Sequence, residues 1–348
     1  MTIAAAALCG SPAPTPLVWR RWEDLPDAVG RKGMYAGVSQ GWVLLAGGSN
    51  FPVPAATAGR KTFHRDVFVR RLPLSPAQPW RIASFRLPVP LGEGASATTP
   101  EGVACVGGHD GRAAVAMAFL LRWNAREDEV ESCPLPALPV ATANAAAAWH
   151  EGWLYVLGGE DATGAHARFW RLPLARALAD PAGIAWEELP LAEGAPGRFG
   201  CILAVTATPS GPQLVAAGGL SGPPKSQADY RCDVWRFHPL TRQWTRGAEM
   251  PRGAVLASAV PVDGGVLVLG GSDGHDFARI KELGERYRLP NEVLLYDGRH
   301  DRWRRMGEMP IGAAGASVVP LDRSWLLVGG EYAPTLRTPA VHELTWVP

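Results

Sequence analysis

The 348-residue sequence is poor in charged residues and has no long apolar run. Charged side chains make up 19% of the chain and the formal net charge is +1, so no strong field attracts nucleic acid or an anionic membrane surface. No apolar stretch approaches the roughly 18 residues of a membrane span. We therefore expect neither nucleic acid nor a membrane as a partner.

The beginning of the chain is apolar but lacks the features of an export signal. Residues 1–9 have no basic segment and are short for the apolar part of a signal peptide. We expect residues 1–16 to form a disordered tail, with atypical secretion as the alternative. This favours the cytoplasm as the compartment and leaves the periplasm open.

Cysteine is scarce too, and the positions of the cysteines argue against a disulfide framework and against a copper site. The five cysteines are odd in number and form no Cys-x-x-Cys pair. A disulfide framework is therefore not expected, and the thiols are predicted to be free and buried. The sequence shows no cluster of Tyr, His and Cys that would bind copper, so we expect no metal and no cofactor.

Glycine, proline and tryptophan are abundant, with 40, 32 and 14 residues. An apolar strand that ends in Gly-Gly occurs six times, at intervals of 51 to 60 residues. The six copies are residues 43–48, 103–108, 154–159, 214–219, 266–271 and 325–330. This period, with a tryptophan downstream, is typical of kelch repeats. We expect the glycines because the blades crowd around a central axis.

Each copy contains the same strands in the same order. A strand of small residues precedes the Gly-Gly strand, a third strand follows a loop, and a fourth begins near a tryptophan. These tryptophans, which we expect to pack between blades, are Trp80, Trp186, Trp244 and Trp303. The copy after Gly107 departs most, because its Trp123 lies elsewhere. Four strands per copy predict an all-β fold, a six-bladed kelch-type β-propeller.

The two ends of the chain are predicted to meet in one blade. The last copy is one strand short, and residues 19–26 resemble the missing outermost strand. The N-terminal strand should therefore complete the C-terminal blade and close the ring, which removes two sheet edges. Residues 17–348 are predicted to be a single domain.

A long segment after the fifth Gly-Gly pair has a helical pattern. Apolar residues recur there at helical spacing, at Phe277, Ile280, Leu283 and Tyr287. We predict a short amphipathic helix within residues 272–290 that packs over the propeller.

Candidate binding residues converge on one face of the ring. Loops that leave each Gly-Gly pair emerge on the same face as the links that enter each innermost strand. The candidates there are Asn50, His109, Glu160, Arg198, Arg252, His275 and Tyr332. A concave mouth with both acids and arginines suits a small polar anionic ligand. As alternatives, Arg198 and Arg252 are structural residues between blades, and Glu160 and His109 are turn residues.

Residues 330–344 carry the most specific motif, Gly-Glu-Tyr-Ala-Pro-Thr-Leu-Arg-Thr-Pro-Ala-Val-His-Glu-Leu. This loop resembles the catalytic loop of bacterial N-acetylneuraminate epimerases, kelch-type mutarotases that interconvert the anomers of sialic acid. Residues 47–52 resemble the opening of the cyclically permuted branch of that family. By position, the resemblance implies that Glu331 and Arg337 are the catalytic pair and that a small acidic sugar is the substrate.

The chemistry of anomer exchange suits these two side chains. The reaction takes a proton from the anomeric hydroxyl and delivers one to the ring oxygen, which opens the ring. Glu331 can act as the general base, while Arg337 can hold the sugar carboxylate or stabilise a developing oxyanion. The donor to the ring oxygen stays open among His109, His275 and protonated Glu331.

Two other functions compete with the mutarotase hypothesis. A non-enzymatic kelch module would bind a protein partner or a glycan through its upper face, and would be indifferent to substitution of Glu331 or Arg337. A copper-radical oxidase would need metal ligands that the sequence does not cluster. The hypothesis we favour is an isomerase, and the sequence leaves the exact sugar and the oligomeric state open.

Overall fold

The computed structural model describes residues 17–53, 58–223 and 225–347. Six four-stranded antiparallel sheets form the blades of a β-propeller around a central channel. The fold predicted from the repeats is therefore confirmed. The tail predicted for residues 1–16 lies outside the described residues.

Each blade runs from an innermost strand at the channel to an outermost strand at the rim. Blade 1 comprises Tyr35–Ser39, Trp42–Ala46, Asp66–Arg71 and Arg81–Arg86. Blade 2 comprises Ala95–Thr99, Gly102–Val106, Ala118–Asn124 and Glu129–Pro134. Blade 3 comprises Ala146–His150, Trp153–Leu157, Phe169–Pro173 and Glu187–Glu188. Blade 4 comprises Ile202–Thr208, Gly211–Ala217, Val234–His238 and Gln243–Gly247. Blade 5 comprises Ser258–Val262, Gly265–Leu269, Glu292–Asp297 and Arg302–Glu308. Blade 6 comprises Ser317–Pro320, Ser324–Val328, Val341–Trp346 and Leu17–Trp22.

Blade 6 joins the two ends of the described chain. Its outermost strand, Leu17–Trp22, pairs antiparallel with Val341–Trp346, from Leu17 opposite Trp346 to Trp22 opposite Val341. The predicted closure of the ring by the N-terminal strand is confirmed. The edge of Val341–Trp346 is thereby covered by a strand from the opposite end of the chain.

The recurring tryptophans tie neighbouring blades together. Each indole N–H donates to a carbonyl at the end of the preceding blade. The pairs are Trp80 to Glu23 at 3.3 Å, and Trp186 to Pro136, Trp244 to Pro190 and Trp303 to Ala248, each at 2.8 Å. Trp123, in the divergent copy, instead stacks on Trp42 with ring centroids 4.0 Å apart. The prediction that the tryptophans pack between blades is confirmed.

The Gly-Gly pairs are required for a different reason from the one we expected. Gly329 has φ of 69°, and a Cβ there would lie 2.3 Å from the carbonyl oxygen of Arg31. The N–H of Gly330 donates to that same oxygen at 2.8 Å. Arg31 belongs to the link that enters the next blade. The glycines therefore allow close contact between neighbouring blades, and crowding around the axis is not the cause.

The segment over the propeller is helical, as predicted, but broken into single turns. Its elements are Phe277–Arg279 (3₁₀), Ile280–Leu283 (α) and Gly284–Arg286 (3₁₀). Phe277 packs against Tyr230, with ring centroids 6.4 Å apart. The remaining helices described are Leu174–Ala179 (α) and Gln227–Asp229 (3₁₀). No helix within the described ranges is long and apolar enough to cross a membrane.

The four described cysteines are free, as predicted, but only two of them are buried. Cys105 and Cys201 are buried, Cys133 and Cys232 are half-buried, and all four are free thiols. Burial raises the pKa of the Cys201 thiol to about 11, so this group stays protonated and packs as a small apolar side chain.

Candidate active site at the propeller mouth

The central channel opens on the face where the chain leaves each of the six Gly-Gly pairs. We call this the upper face. The upper part of the channel is a cavity of about 210 Å³, lined by Lys32, Glu93 and Asn144 and by small residues from all six blades. A second cavity of about 230 Å³ lies along the inner strands further down. The polar side chains are thus concentrated at the upper mouth.

A closed ring of six backbone hydrogen bonds encircles this mouth. Each N–H donates to the carbonyl of the corresponding residue in the adjacent blade, at 2.6 to 3.0 Å. The ring members are Gly33, Glu93, Asn144, Gly200, Leu256 and Gly315. All six have positive φ, between 53° and 65°. Three of the six, Glu93, Asn144 and Leu256, carry side chains although this conformation is unfavourable for non-glycine residues. We call all six residues the mouth ring.

Short two-stranded hairpins stand above the mouth on three blades. They are Ser49–Asn50 with Thr62–Phe63, Glu160–Asp161 with Gly164–Ala165, and Glu331–Ala333 with Leu336–Arg337. In the third hairpin, Glu331 and Arg337 are direct cross-strand partners. Neighbours of this kind have side chains on the same face. The spacing of six residues in the sequence therefore brings the two groups together.

Glu331 and Arg337 form an ion pair at the mouth. The Nη1 of Arg337 lies 2.9 Å from the Oε2 of Glu331. The Glu331 side chain is 23% exposed, whereas that of Arg337 is only 3% exposed. The Oε1 of Glu331 also accepts from the N–H of Thr335 at 3.3 Å. The carboxylate is thus held in place and remains accessible to solvent.

Arg337 has donor capacity that the protein does not use. Its Nε is buried and has no hydrogen-bond acceptor among the described residues, and its Nη1, although 2.9 Å from Oε2 of Glu331, makes no hydrogen bond to a described residue. The guanidinium group lies over Phe51, 5.3 Å from the ring centroid. Burial lowers the pKa of Arg337 below its usual value, while the Glu331 and Glu93 charges oppose that shift. Buried donors without acceptors are costly, so the site favours an anionic ligand.

Lys32 is a second cation beside Glu331. Its Nζ lies 3.4 Å from Oε2 of Glu331. Its aliphatic stem crosses Gly315, where a Cβ would lie 2.7 Å from the Cγ of Lys32. Gly315, in the link before blade 6, therefore leaves space for the side chain of Lys32, which lies in the link before blade 1.

Glu93 and Lys61 form a second charge pair at the same mouth. Lys61 Nζ donates a short hydrogen bond to Oε1 of Glu93. Burial alone would raise the pKa of Glu93, but Lys32 and Lys61 outweigh it and hold that pKa below its usual value. Burial lowers the pKa of Lys61, and the Glu93 carboxylate only partly offsets this. The mouth therefore presents three cations and two carboxylates: Lys32 and Arg337 contact Glu331, and Lys61 contacts Glu93.

Glu160 and His109, predicted as binding residues, lie on the neighbouring blades at the mouth. Glu160 accepts from the Nδ2 of Asn144 at 2.9 Å, and burial raises the pKa of its carboxyl group. His109 stacks on Phe63 with centroids 5.1 Å apart. Its Nδ1 accepts from the N–H of Gly111 at 3.0 Å, which fixes the ring. Both side chains border the polar cluster.

Arg198 and Arg252 are not brought into this cluster. Arg198 pairs with Asp233 at 2.5 Å and donates to a Gly-Gly carbonyl of the same blade at 3.2 Å. Arg252 does the same one blade further on, with Glu292 at 3.2 Å and a Gly-Gly carbonyl at 3.0 Å. Their donors are committed to the scaffold at the junctions between blades. The geometry favours the structural alternative for both arginines.

Asn50 is likewise engaged within the scaffold. It is almost fully buried, and its Nδ2 donates to the Gly30 carbonyl at 3.0 Å and to Asp27 at 3.1 Å. Its Oδ1 faces the Nε2 of His64 at 2.8 Å. All its polar atoms have protein partners, so it stabilises the loop beneath the mouth.

His275 and Tyr332 also lie apart from the charged cluster. His275 is exposed, in a turn where its N–H donates to Oδ1 of Asp273 at 3.0 Å. Tyr332 follows Glu331 in the strand and lines an open cavity of about 720 Å³ together with Asn291. Arg337 borders this cavity too. Neither His275 nor Tyr332 contacts the Glu331 carboxylate.

The opposite side of the mouth is apolar. Blades 4 and 5 contribute Leu220, Tyr230 and Val255 as a buried cluster, with Phe199 and Leu256 packed against it. Charged side chains thus come from blades 6, 1, 2 and 3, and apolar ones from blades 4 and 5. A ligand with a charged end and an apolar substituent matches this division.

Lys32, Lys61, Glu93 and Asn144 are site residues that the sequence analysis missed. Lys32, Glu93 and Asn144 lie in the links that precede the innermost strands of blades 1, 2 and 3. Glu93 and Asn144 each lie two residues before the strand, and this shared position was a usable signal, whereas Lys32 lies three residues before its strand. Lys61 comes from the long basic loop after the first Gly-Gly pair. Within the part of the chain that the structure describes, no group of three His, Cys, Asp or Glu side chains is arranged to hold a metal ion.

Comparison with known proteins bears on the fold and on the relatives of the chain. The kelch motif model matches residues 204–251, which span blade 4. Proteins named N-acetylneuraminate epimerase match in Yersinia pestis (strain Pestoides F; 29% identity over 233 residues, 59% of this chain and 56% of the relative) and in Haemophilus influenzae (strain PittEE; 28% over 155 residues, 38% and 41%). The chain is similar to N-acetylneuraminate epimerases. The matched part spans little more than half the length of these relatives at most.

A solved structure, described as the structure of YjhT, has the same fold. It superposes with a TM-score of 0.64 at 15% sequence identity, over 92% of this chain and 95% of that one. This likeness supports the propeller architecture. The circular order of the blades relative to the epimerases stays a prediction.

Proposed function

We propose that the protein is an isomerase that interconverts the α and β anomers of N-acetylneuraminate or a related acidic sugar. The names of the sequence relatives support this substrate class. The observation that carries the proposal is the Glu331–Arg337 pair, in which an accessible carboxylate stands beside buried guanidinium donors without acceptors.

In the proposed mechanism, Arg337 binds the sugar carboxylate through its unused donors. This places the anomeric carbon, to which that carboxylate is attached, next to Glu331. Glu331 then takes the proton of the anomeric hydroxyl as general base, and the ring opens to the keto form. Rotation about the former ring bond between the keto carbon and its neighbouring chain carbon turns the other face of the carbonyl toward the hydroxyl, and reclosure gives the other anomer. Lys32 stays beside Glu331 and offsets its negative charge.

The apolar half of the mouth is proposed to take the uncharged part of the sugar. An acyl substituent opposite the carboxylate would face Leu256, which lines the upper cavity and packs against Leu220 and Val255. Burial of one methyl or methylene group contributes about 0.8 kcal/mol. A sugar acid without the acyl group should therefore bind more weakly by about fourfold.

Proton NMR of a freshly dissolved single anomer of sialic acid tests the activity. We expect the protein to speed the approach to anomeric equilibrium, and Glu331→Gln to lower kcat by about 10² to 10⁴. Arg337→Lys should mainly raise KM, because charge-assisted hydrogen bonds contribute about 1.5–3 kcal/mol. Glu308→Gln is the matched control, since Glu308 is exposed on blade 5 and pairs with Arg305. Equilibration at the buffer rate with wild-type protein would contradict the proposed function.

A further inference from the structure

Glu93 is held in a strained position that presents its carboxylate to the mouth. It occupies the mouth ring with φ of 60°, where Gly33, Gly200 and Gly315 carry no side chain. A non-glycine residue in this conformation costs roughly 1–2 kcal/mol. A Cβ on Gly33 would lie 3.1 Å from the Cγ of Glu93, so the neighbouring glycine leaves the space for it. Strain of this kind persists at functional sites.

Lys61 is the group that this carboxylate holds. Its side chain is 33% exposed, its ammonium group lies 4.9 Å from the Phe63 ring centroid, and Glu93 is its hydrogen-bonded partner. The charged groups that influence it are Glu93, Lys32 and Arg337. Lys61 therefore reaches the same polar cluster as Glu331, but from blade 1, whereas Glu331 stands on blade 6.

The two carboxylates thus serve different cations. Glu331 contacts Arg337 and Lys32, whereas Glu93 contacts Lys61. Anomer exchange needs a base at the anomeric hydroxyl and an acid at the ring oxygen, and those two oxygens are attached to the same carbon. A protonated amine whose pKa is lowered by burial is suited to give up and recover a proton.

We propose that Lys61, positioned by Glu93, is the acid that protonates the ring oxygen. This inference rests on the proposed function. In ring opening, Glu331 takes the hydroxyl proton, the bond from the anomeric carbon to the ring oxygen breaks, and that oxygen takes a proton from the Lys61 ammonium. In closure, the neutral amine recovers this proton as the oxygen attacks the carbonyl, and Glu331 returns the other. No net proton is gained or lost.

His109 is the nearest competitor for this role. Its Nδ1 is occupied by the Gly111 N–H, and its ring is stacked on the same Phe63 that Lys61 covers. His275 is exposed and lies on blade 5, away from the charged cluster. Lys61 is therefore the better-placed donor, and Glu93 is a positioning residue.

The test compares Lys61→Arg, Lys61→Met and His109→Gln with wild type by anomeric-exchange NMR. Arginine keeps the positive charge but cannot give up its proton at accessible pH. We expect Lys61→Arg to lower kcat by about 10² or more with KM changed by less than about threefold, and Lys61→Met to lower kcat at least as much. We expect His109→Gln to lower kcat by much less than Lys61→Arg does. Lys281→Arg, an exposed lysine of the helical segment, is the matched control.

Glu93→Gln should change the pH dependence of kcat, which a purely structural role of Glu93 would leave unchanged. The Glu93 charge raises the pKa of Lys61, so its removal should lower that pKa. Lys61 must be protonated to act as the acid, and the alkaline limb of kcat should therefore move to lower pH. In Lys61→Arg this limb should disappear from the residual activity.

The failures of the two proposals are distinguishable. If wild-type protein equilibrates sialic acid rapidly while Lys61→Arg retains kcat within about threefold, the assignment of Lys61 is overturned and the proposed function stands. Loss of kcat in His109→Gln alone transfers the role to His109. If wild type itself leaves the anomers at the buffer rate, both proposals fall.

Discussion

Replacement of Arg198 by methionine should destabilise the protein and leave the mouth chemically intact. Arg198 and Asp233 have side chains that are each 4% exposed, and their closest atoms are 2.5 Å apart. Asp233 also accepts from Arg231 at 2.9 Å and from the Trp235 indole at 2.8 Å. Methionine fills much of the same volume without charge, so the substitution removes the ion pair, together with the hydrogen bond to the Gly218 carbonyl, with little change in packing volume.

The structure gives the size of the effect in two ways. Burial alone would raise the pKa of Asp233, but Arg198, with smaller contributions from Trp235 and Arg231, outweighs it and brings the pKa from its ordinary 3.8 to about 2. A shift of that size corresponds to about 2 kcal/mol of stability, since one pKa unit is about 1.4 kcal/mol. Removing one partner of a buried pair typically costs about 3–5 kcal/mol. We expect a loss of about 3 kcal/mol for Arg198→Met at pH 7.

The pH dependence has a defined sign. Because the pKa of Asp233 is depressed in the folded protein, its contribution is fully present above pH 3.8. That contribution is lost as the pH falls through the folded value of about 2. The coupling free energy between Arg198→Met and Asp233→Asn, from a double-mutant cycle, should decline over the same window.

Urea unfolding followed by tryptophan fluorescence measures these free energies. Arg279→Met is the control, because Arg279 and its partner Glu282 are 54% and 62% exposed and such pairs contribute little. A coupling free energy below about 0.5 kcal/mol at pH 7 would refute the structural role. A normal urea midpoint with a raised KM would instead restore Arg198 as a ligand-binding residue.

Three further substitutions probe the scaffold around the site. Trp303→Phe removes the indole donor to Ala248 and should lower the free energy of unfolding by about 1 kcal/mol in urea titrations; no change would mean that this bond between blades is not significant. Gly315→Ala places a side chain at φ of 65° and pushes the Lys32 stem aside, so it should lower the melting temperature and also slow anomeric exchange at temperatures where the protein stays folded, and an unchanged rate would exclude Lys32 from the site. Thr335→Gly relieves a residue at φ of 65° and should raise the melting temperature, since glycine adopts this conformation without the cost of roughly 1 kcal/mol, whereas a lower melting temperature would show that the threonine side chain contributes more.

The architecture was predictable because the same sequence pattern recurs in each blade. Six Gly-Gly strand ends and the four tryptophans of the outer strands give the period, the strand count and the contacts between blades. The cause of the glycine requirement was not predictable in the same way. It depends on a carbonyl from the next blade, such as that of Arg31 against Gly329, and that contact exists only after the blades have packed.

The site was predictable only in part. The Glu331–Arg337 spacing identifies a hairpin pair, and the structure brings these two side chains into contact. Arg31 and Lys32 are adjacent in sequence, yet the first is committed to the scaffold and the second reaches the mouth. Glu93 was hidden because its backbone conformation is one that most sequence rules assign to glycine.

The mouth ring also has a consequence for folding during synthesis on the ribosome. Its bond from the Gly33 N–H to the Gly315 carbonyl joins the first blade to the last, so the ring cannot close until nearly the whole chain has been made. Domains form from the N-terminal side during synthesis, and Glu331 belongs to the final blade. A nascent or prematurely ended chain would therefore carry Lys32, Lys61 and Glu93 without the partner carboxylate. The candidate site should therefore be completed in one step, when the last blade folds against the first.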